Sequence, residues 1–232
     1  MHINYVDYEQ KLSREISAQP HLVTECLIRH WFTDVHGKNV EIEVPYVRVD
    51  KSGKSITPIH IKPKYNGCLA SNKVRADLCA DICPPEAELY GRKAEAVIEF
   101  KYHRATKYSR NCTTTKLGSL FADMNRLSIV DADDKYLIYV FDDDMRKYFG
   151  SNRKENKQAR ECFDLNSISI NSTRKITSTT VSSCGKEFPR VAMSDFDLKK
   201  LSASSGLNYT ITAKYAKDIP RTNLYMIIYQ IA

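Results

Sequence analysis

The sequence lacks several features that would assign it to common classes of protein. It contains no apolar run that approaches the roughly 20 residues needed to cross a membrane. Its first segment, MHINYVDYEQKL, has no apolar core of the kind found in signal peptides. There is also no internal repeat and no clear linker. We therefore expect a single domain over residues 1–232 that does not associate with a membrane.

The seven cysteines form neither a disulfide framework nor a metal-binding pattern. Their number is odd, and none belongs to a paired CxxC motif. Cys79 and Cys83 are four residues apart on one predicted strand, which is not the spacing of a zinc knuckle. Free thiols are typical of a reducing compartment. The cysteines thus favour a cytoplasmic protein without structural zinc.

Positive charge is in excess, and it is concentrated in two segments. The formal net charge is +7 and the pI is about 8.9. Residues 101–116 include five Lys or Arg and no acidic residue, and residues 146–160 include six against the single Glu155. Such segments either contact a polyanion or form solvated loops. The sequence leaves both interpretations open.

Two segments near the middle of the chain predict a pair of neighbouring strands. In residues 74–82, apolar side chains alternate with polar ones that include Asp77, and in residues 96–101 they alternate with Glu99 and Lys101. The connection between the segments is rich in Pro, Gly and charge. If the strands pair, Asp77 lies beside Glu99, with Lys101 next along the same face. This grouping costs free energy unless a cation or a substrate neutralises it. The alternative is a ladder of surface salt bridges.

The segments on either side predict helices and further strands. Helices are expected over residues 8–18, 20–32 and 116–127, and strands over 40–49 and 135–141, with a short extended piece at 57–65. The last strand is almost wholly apolar, as expected of a strand buried on both faces. Because it follows a helix, a crossover would place it parallel to the strand that carries Glu99.

Helical spacing also predicts which side chains face the core. In the second helix the predicted core-facing residues are Val23, Cys26, Leu27, His30 and Trp31. In the third helix, Asp123 and Arg126 are predicted to form an exposed pair on the solvent side.

Beyond residue 142 the pattern is weaker. It predicts a helix and basic loop over 145–160, loop or short edge strands over 166–185, a helix ending near residue 206, and paired strands over 208–215 and 223–231. Residues 151–232 are therefore expected to form a C-terminal α+β extension.

The order helix, strand, strand, strand, helix, strand resembles the PD-(D/E)xK nuclease superfamily. The resemblance covers about residues 22–141 and depends on four segments: RADL (75–78), AVIEFK (96–101), KLGSLFADMNRL (116–127) and YLIYVF (136–141). It implies a restriction-endonuclease-like α/β core over about residues 20–150, with a central mixed sheet of four to five strands flanked by helices.

The acid-x-Lys triplet has little specificity by itself, because four other triplets of this kind occur in the chain. None of those four lies in an apolar strand that follows an Asp-bearing strand and precedes a helix. The sequence departs from the family pattern at one place, since Ala76 precedes Asp77 where a proline is common. Asp81 has the same strand phase and remains an alternative metal ligand.

The resemblance implies a Mg²⁺- or Mn²⁺-dependent endonuclease that hydrolyses phosphodiester bonds in DNA. Asp77, Glu99 and the backbone carbonyl of Phe100 would bind the metal, and Lys101 would orient the attacking water. Glu25 corresponds to a helix acid that many relatives direct toward the site, although an ordinary surface glutamate is an equal alternative. Mg²⁺ suits such a site because it binds through one or two carboxylates and keeps several waters.

The first basic segment would then contact the phosphates of the nucleic acid. The residues expected to do so are Arg104, Lys107, Arg110 and Lys116. His103 is expected to contact the backbone or to be exposed to solvent, and not to act as the general base. A homodimer is a further expectation, because cutting both strands of a duplex commonly uses two copies. The alternatives are a catalytically inactive nucleic-acid-binding or assembly module and, if the strands do not pair, an unrelated basic α/β protein.

Overall fold

The computed structural model describes residues 3–36, 40–45, 48–49, 55–56, 75–80, 94–104, 113–130, 132–154, 156–177, 180 and 208–232. The helices within these residues are α1 (Tyr5–Ala18), α2 (Glu25–His36), α3 (Thr113–Ile129), α4 (Asp143–Phe149) and α5 (Lys157–Glu161). The strands are β1 (Val40–Pro45), β2 (Arg48–Val49), β3 (Ser55–Ile56), β4 (Arg75–Ala80), β5 (Ala94–His103), β6 (Ala132–Asp142), β7 (Thr173–Thr177), β8 (Asn208–Asp218) and β9 (Leu224–Ile231). The predicted extended piece at 57–65 and the predicted helix near 206 lie outside the described residues.

Seven strands form one mixed sheet in the order β1-β4-β5-β6-β9-β8-β7, and β2 pairs with β3 separately. Strands β5 and β6 are parallel, as predicted, and the other neighbours in the large sheet are antiparallel. The α/β class and a mixed open sheet flanked by helices are thus confirmed. The predicted core supplies four of the seven strands. The C-terminal segment supplies the other three, and its strand β9 lies between β6 and β8.

Helices cover both faces of this sheet, and each face has its own hydrophobic core. Residues of α3 and α4 pack on the face that includes Leu137, Tyr139 and Phe141. Residues of α1 and α2 pack on the other face, which includes Ile138 and Val140. All five of these β6 side chains have 0% exposure, which confirms that this strand is buried on both faces.

The second helix begins later than the sequence predicts. It starts at Glu25 and not near Pro20, because the Thr24 hydroxyl accepts the backbone N–H three residues further on at 3.3 Å. The shift changes the buried side of the helix. Its buried residues are Ile28, Arg29, Trp31 and Phe32. Cys26 and His30, which were predicted to face the core, are exposed.

Within the described residues, the structure contains no helix with the length and apolar composition that a membrane span requires.

The second basic segment, residues 146–160, includes a cation that serves the fold. Arg160 is 1% exposed. Its guanidinium donates hydrogen bonds to the carbonyl oxygens of Tyr148 at 3.1 Å and Phe149 at 3.3 Å, and also to those of Ser151 and Arg153. Arg160 therefore fixes the loop between α4 and α5, and this side chain is removed from any surface that contacts a polyanion.

We predict that Arg160→Met lowers the free energy of unfolding by about 3 kcal/mol, because four carbonyl groups in buried or part-buried surroundings lose their donor. Urea denaturation followed by circular dichroism measures the change. The control is Lys157→Met, whose side chain is 70% exposed and whose effect should stay within about 0.5 kcal/mol. Equal effects of the two substitutions would contradict the role assigned to Arg160.

Candidate active site

Strands β4 and β5 bring Asp77 and Glu99 to opposite positions in the sheet. The strands are antiparallel, with Leu78 paired to Ile98, and continuing this register by one residue sets Asp77 opposite Glu99. Opposite residues of an antiparallel pair share a face of the sheet and have Cβ atoms about 4.5–5.5 Å apart. The predicted pairing of the two strands is thus confirmed. The Asp77 side chain and the alternative ligand Asp81 lie outside the description.

Glu99 and Lys101 lie on the face of β5 that α3 covers. Val97, two residues earlier on the same face, belongs to the core beneath α3. Glu99 is 4% exposed, and the Lys101 side chain is 23% exposed. Withdrawing a carboxylate from water costs several kcal/mol unless charges and hydrogen bonds compensate. A buried glutamate on a strand next to a lysine therefore requires such compensation nearby.

Helix α3 supplies one partner for Lys101. Asp123 Oδ2 lies 3.1 Å from Lys101 Nζ, and Oδ1 accepts a hydrogen bond from the Arg126 guanidinium. Asp123 is 1% exposed, so the prediction of an exposed Asp123–Arg126 pair is wrong. The pair exists, but it is turned toward the sheet, where it holds the Lys101 ammonium.

The sequence contains a signal that indicates the burial of Asp123. Between residues 117 and 127, the only charged residues are Asp123 and Arg126, and Gly118 and Ala122 are small. A helix with few charges around its circumference is buried on most sides. In such a helix, an acidic residue is expected to have a buried partner rather than to face solvent.

His103 lies near the same group of charges. Burial, together with the charges of Lys101 and Lys116, lowers the pKa of His103 to about 3. Its Nδ1 lies 3.1 Å from the Tyr139 hydroxyl, and the two rings pack in a T-shaped arrangement. The expectation of a solvent-exposed ring is therefore wrong, and contact with a nucleic-acid backbone stays a prediction. A neutral imidazole with this pKa is also a poor proton acceptor at neutral pH.

Glu25 reaches β5 from the other helical layer. Its Oε2 accepts a hydrogen bond from the backbone N–H of Tyr102 at 2.9 Å, one residue beyond Lys101. The contact joins the first turn of α2 to the carboxyl end of β5. Glu25 therefore contacts the residue that follows Lys101. Its helix packs against the opposite face of the sheet.

Two of the four predicted phosphate-contacting cations are described, and both also contact backbone carbonyl groups. Arg104 donates to Pro20 O at 3.3 Å, and Lys116 donates to Arg104 O at 3.3 Å. A guanidinium has five donors and an ammonium has three, so each side chain retains capacity for a phosphate. Lys107 and Arg110 lie outside the described residues.

The expected metal ligands are only partly within the described side chains. Among the side chains that the structure describes, no group of three His, Cys, Asp or Glu residues forms a metal site, and Asp77 is not among those side chains. The backbone register sets Asp77 opposite Glu99, and Phe100 follows Glu99 on β5. Carboxylate and carbonyl oxygens, completed by water, suit Mg²⁺.

We predict that Asp123→Asn lowers the free energy of unfolding by about 2 kcal/mol, because two partly buried cations lose a carboxylate. Urea denaturation at pH 7 tests this expectation. Asp144→Asn is the matched control, since Asp144 is an exposed acid on α4. A loss for Asp123→Asn that is no larger than the control's would show that the ion pair contributes little.

The pKa of His103 predicts how stability depends on pH. The folded pKa of about 3 lies below the unfolded value near 6.5, so the unfolded chain binds the extra proton between these limits. The free energy of unfolding should have its full value above pH 6.5. Between pH 6.5 and pH 3, the protonation of His103 in the unfolded chain should lower it by about 1.4 kcal/mol per pH unit. Urea titrations at pH 7 and pH 5 should show about 2 kcal/mol less pH dependence in His103→Gln than in wild type. His21→Gln, at an exposed position, should retain the wild-type dependence.

Comparison with known proteins adds no further assignment. No protein-family model, no curated protein sequence and no solved structure matches this chain. The function must therefore be inferred from the geometry of the strands and from the chemistry of the side chains described above.

Proposed function

We propose that this protein is a Mg²⁺- or Mn²⁺-dependent endonuclease that hydrolyses phosphodiester bonds in DNA. The observation that carries the proposal is the antiparallel register of β4 and β5, which sets Asp77 opposite Glu99 with Lys101 two residues further along β5. The burial of Glu99 supports it, because buried ionisable groups that lie together are concentrated at functional sites. A restriction-endonuclease-like fold is part of the same proposal.

Each residue of the group has a distinct role in this proposal. Asp77, Glu99 and the Phe100 carbonyl would hold the metal ion. A bound divalent cation offsets the negative charge that develops on the phosphate and on the leaving oxygen. Lys101 would orient the attacking water and stabilise the anionic phosphate, a role that suits a compact ammonium. Glu25, which the family resemblance assigns to a water of the metal's hydration shell, has less support in this role, because it lies on α2 on the opposite face of the sheet and accepts a hydrogen bond from Tyr102 N.

The surrounding contacts give Lys101 a defined position. Its ammonium lies 3.1 Å from Asp123 Oδ2, which also restricts the side chain to the face where Glu99 lies. A catalytic side chain that is held in this way loses less conformational entropy in the transition state. Asp123 would therefore act as a positioning residue for Lys101.

The charge distribution supports a nucleic-acid substrate. The net charge of +7 favours attraction of a polyanion, and the strand that carries Lys101 leads directly into the first basic segment. In our proposal, Arg104 and Lys116, together with Lys107 and Arg110, contact the phosphates on either side of the scissile bond. A homodimer, which would cut both strands of a duplex, remains a prediction.

A second candidate is a catalytically inactive nucleic-acid-binding or assembly module. The observation that favours it is the ion pair between Lys101 and Asp123, because a purely structural salt bridge has the same geometry. The contacts of Arg104 and Lys116 with backbone carbonyl groups are equally compatible with a structural role. Metal-dependent cleavage separates the two candidates.

We predict that the wild-type protein breaks supercoiled plasmid in the presence of Mg²⁺ or Mn²⁺ and not in EDTA. Asp77→Asn, Glu99→Gln and Lys101→Met should each reduce the cleavage rate at least about 100-fold, because each removes a metal ligand or the group that orients the water. Gel assays on plasmid, single-stranded DNA and RNA measure both the rate and the substrate class.

The matched controls are Asp144→Asn and Lys175→Ala, which change exposed charges on α4 and β7. Both should cleave at the wild-type rate. Equal cleavage by wild type and Lys101→Met would indicate a contaminating nuclease and would refute the assignment. DNA binding that persists in EDTA, without cleavage in either metal, would establish the binding module instead.

A further inference from the structure

A concave site lies on the other face of the sheet from Glu99 and Lys101. It is a cleft of about 370 Å³ formed where β5 and β6 end, together with the end of α1 and the turn between β8 and β9. Its volume falls in the range of small-molecule sites. The carboxyl ends of parallel strands are also where open α/β sheets commonly bind ligands.

The turn that closes one side of the cleft has an unusual residue at its third position. Thr222 N donates to Ile219 O at 3.2 Å, and Pro220 and Arg221 form the two central positions of the turn. Arg221 has a φ of 62°. A left-handed third position favours glycine, and a long side chain there costs free energy. Non-glycine residues held in this conformation are concentrated at functional sites.

Helix α1 holds this turn in place. The Ser13 hydroxyl donates to Pro220 O at 2.7 Å, and the Ser17 hydroxyl donates to Arg221 O at 3.3 Å. Both bonds use the backbone of the turn, so the Arg221 side chain is left exposed and lines the cleft. Among the described residues, we find no hydrogen bond or ion pair to its guanidinium. The turn therefore presents a cation to the cleft at a cost in backbone free energy.

The charges that line the cleft favour an anion. Arg104 and Arg221 contribute two guanidinium groups, and Asp142 contributes one carboxylate. Asp142 Oδ1 accepts a hydrogen bond from Met145 N at 3.1 Å, so this carboxylate is engaged at the start of α4. Guanidinium groups bind phosphate through pairs of parallel hydrogen bonds, which makes phosphate the anion that best suits two arginines.

The remaining lining suits the organic part of a nucleotide. Tyr102 offers a half-buried aromatic ring, Pro20 offers an apolar surface, and Asn223 offers an amide that can both donate and accept. Aromatic side chains stack on nucleobases without sequence preference. An inorganic anion alone would leave this apolar surface uncovered.

We propose that this cleft binds a nucleotide, with its phosphate between Arg104 and Arg221 and its nucleoside against Tyr102. The ligand is either a free mononucleotide or the phosphorylated end of a strand. The cleft shares no side chain with Asp77, Glu99 or Lys101, so nucleotide binding there does not require the proposed catalytic residues. Arg104 is the one residue assigned to both proposals, and Arg221 belongs to the cleft alone.

The test is isothermal titration of wild-type protein with deoxyadenosine 5′-monophosphate in EDTA. We expect saturable binding at millimolar concentration or below, and binding of deoxyadenosine at least about tenfold weaker, because the nucleoside lacks the charge that the arginines bind. Absence of binding at about 5 mM nucleotide, or equal binding of the nucleoside, would refute the proposal.

Arg221→Gly separates ligand binding from folding. Glycine relieves the left-handed backbone, so the thermal midpoint should be unchanged or higher, whereas nucleotide affinity should fall about tenfold. The matched control is Asn171→Gly, which relieves a φ of 64° away from the cleft and should leave affinity unchanged. Arg104→Gln provides a second variant with the same expected loss. Wild-type affinity in both arginine variants would refute the site.

Two further measurements show which ligand supplies the phosphate and whether the cleft binds it separately from the site of Lys101. A tetranucleotide with a 5′-phosphate that binds more tightly than its 5′-hydroxyl form, with the difference lost in Arg221→Gly, assigns the cleft to a strand end. Tighter binding of the free mononucleotide assigns it to a small molecule.

Lys101→Met should bind the nucleotide as wild type does, whether or not it has lost nuclease activity. A loss of binding in Lys101→Met would place the nucleotide at the other site and refute the proposal.

Discussion

The parallel pairing of β5 with β6 is the interaction on which the other features depend. It requires a crossover, and α3 provides it, so that α3 covers the face where Glu99 and Lys101 lie. The same pairing positions Asp123 above Lys101 and His103 beside Tyr139. Because both strands run in the same direction, their carboxyl ends lie at the same edge of the sheet. The arginine-lined cleft forms at that edge. One pairing of strands therefore creates two separate polar regions, one on each face of the sheet.

The two polar regions differ in how their charges are compensated. Glu99 and Asp123 are buried, and the cations around them are partly withdrawn from water, so each charge depends on its neighbours. At the cleft, Arg104 and Arg221 are exposed to water and need no buried partner. The left-handed backbone conformation of Arg221 is the unfavourable feature there. A buried network of this kind favours a fixed geometry, which the proposed hydrolysis would require. An exposed pair of cations favours capture and release of an anion.

Local patterns in the sequence were sufficient for the features that depend on one or two neighbouring segments. The alternation around Asp77 and Glu99 predicts a pair of strands, and the apolar run over residues 135–141 predicts a strand buried on both faces. The spacing of Asp123 and Arg126 by itself favours an exposed pair, whereas the scarcity of other charges in the helix is the pattern that agrees with the burial of Asp123. The position of β9 and the lining of the cleft depend on contacts between segments far apart in the chain. Short-range periodicity carries no information about such contacts.

The position of β9 has a consequence for how the protein is made. Strand β6 is buried on both faces, and its partner on one side comprises residues Leu224–Ile231. During synthesis, β6 emerges long before that partner, and until then it has an unsatisfied, strongly apolar edge. At ribosomal rates of about 5–20 residues per second, this edge persists for several seconds. The nascent chain therefore needs shielding by a chaperone or by transient contacts, and truncation before β9 should favour aggregation over a smaller folded unit.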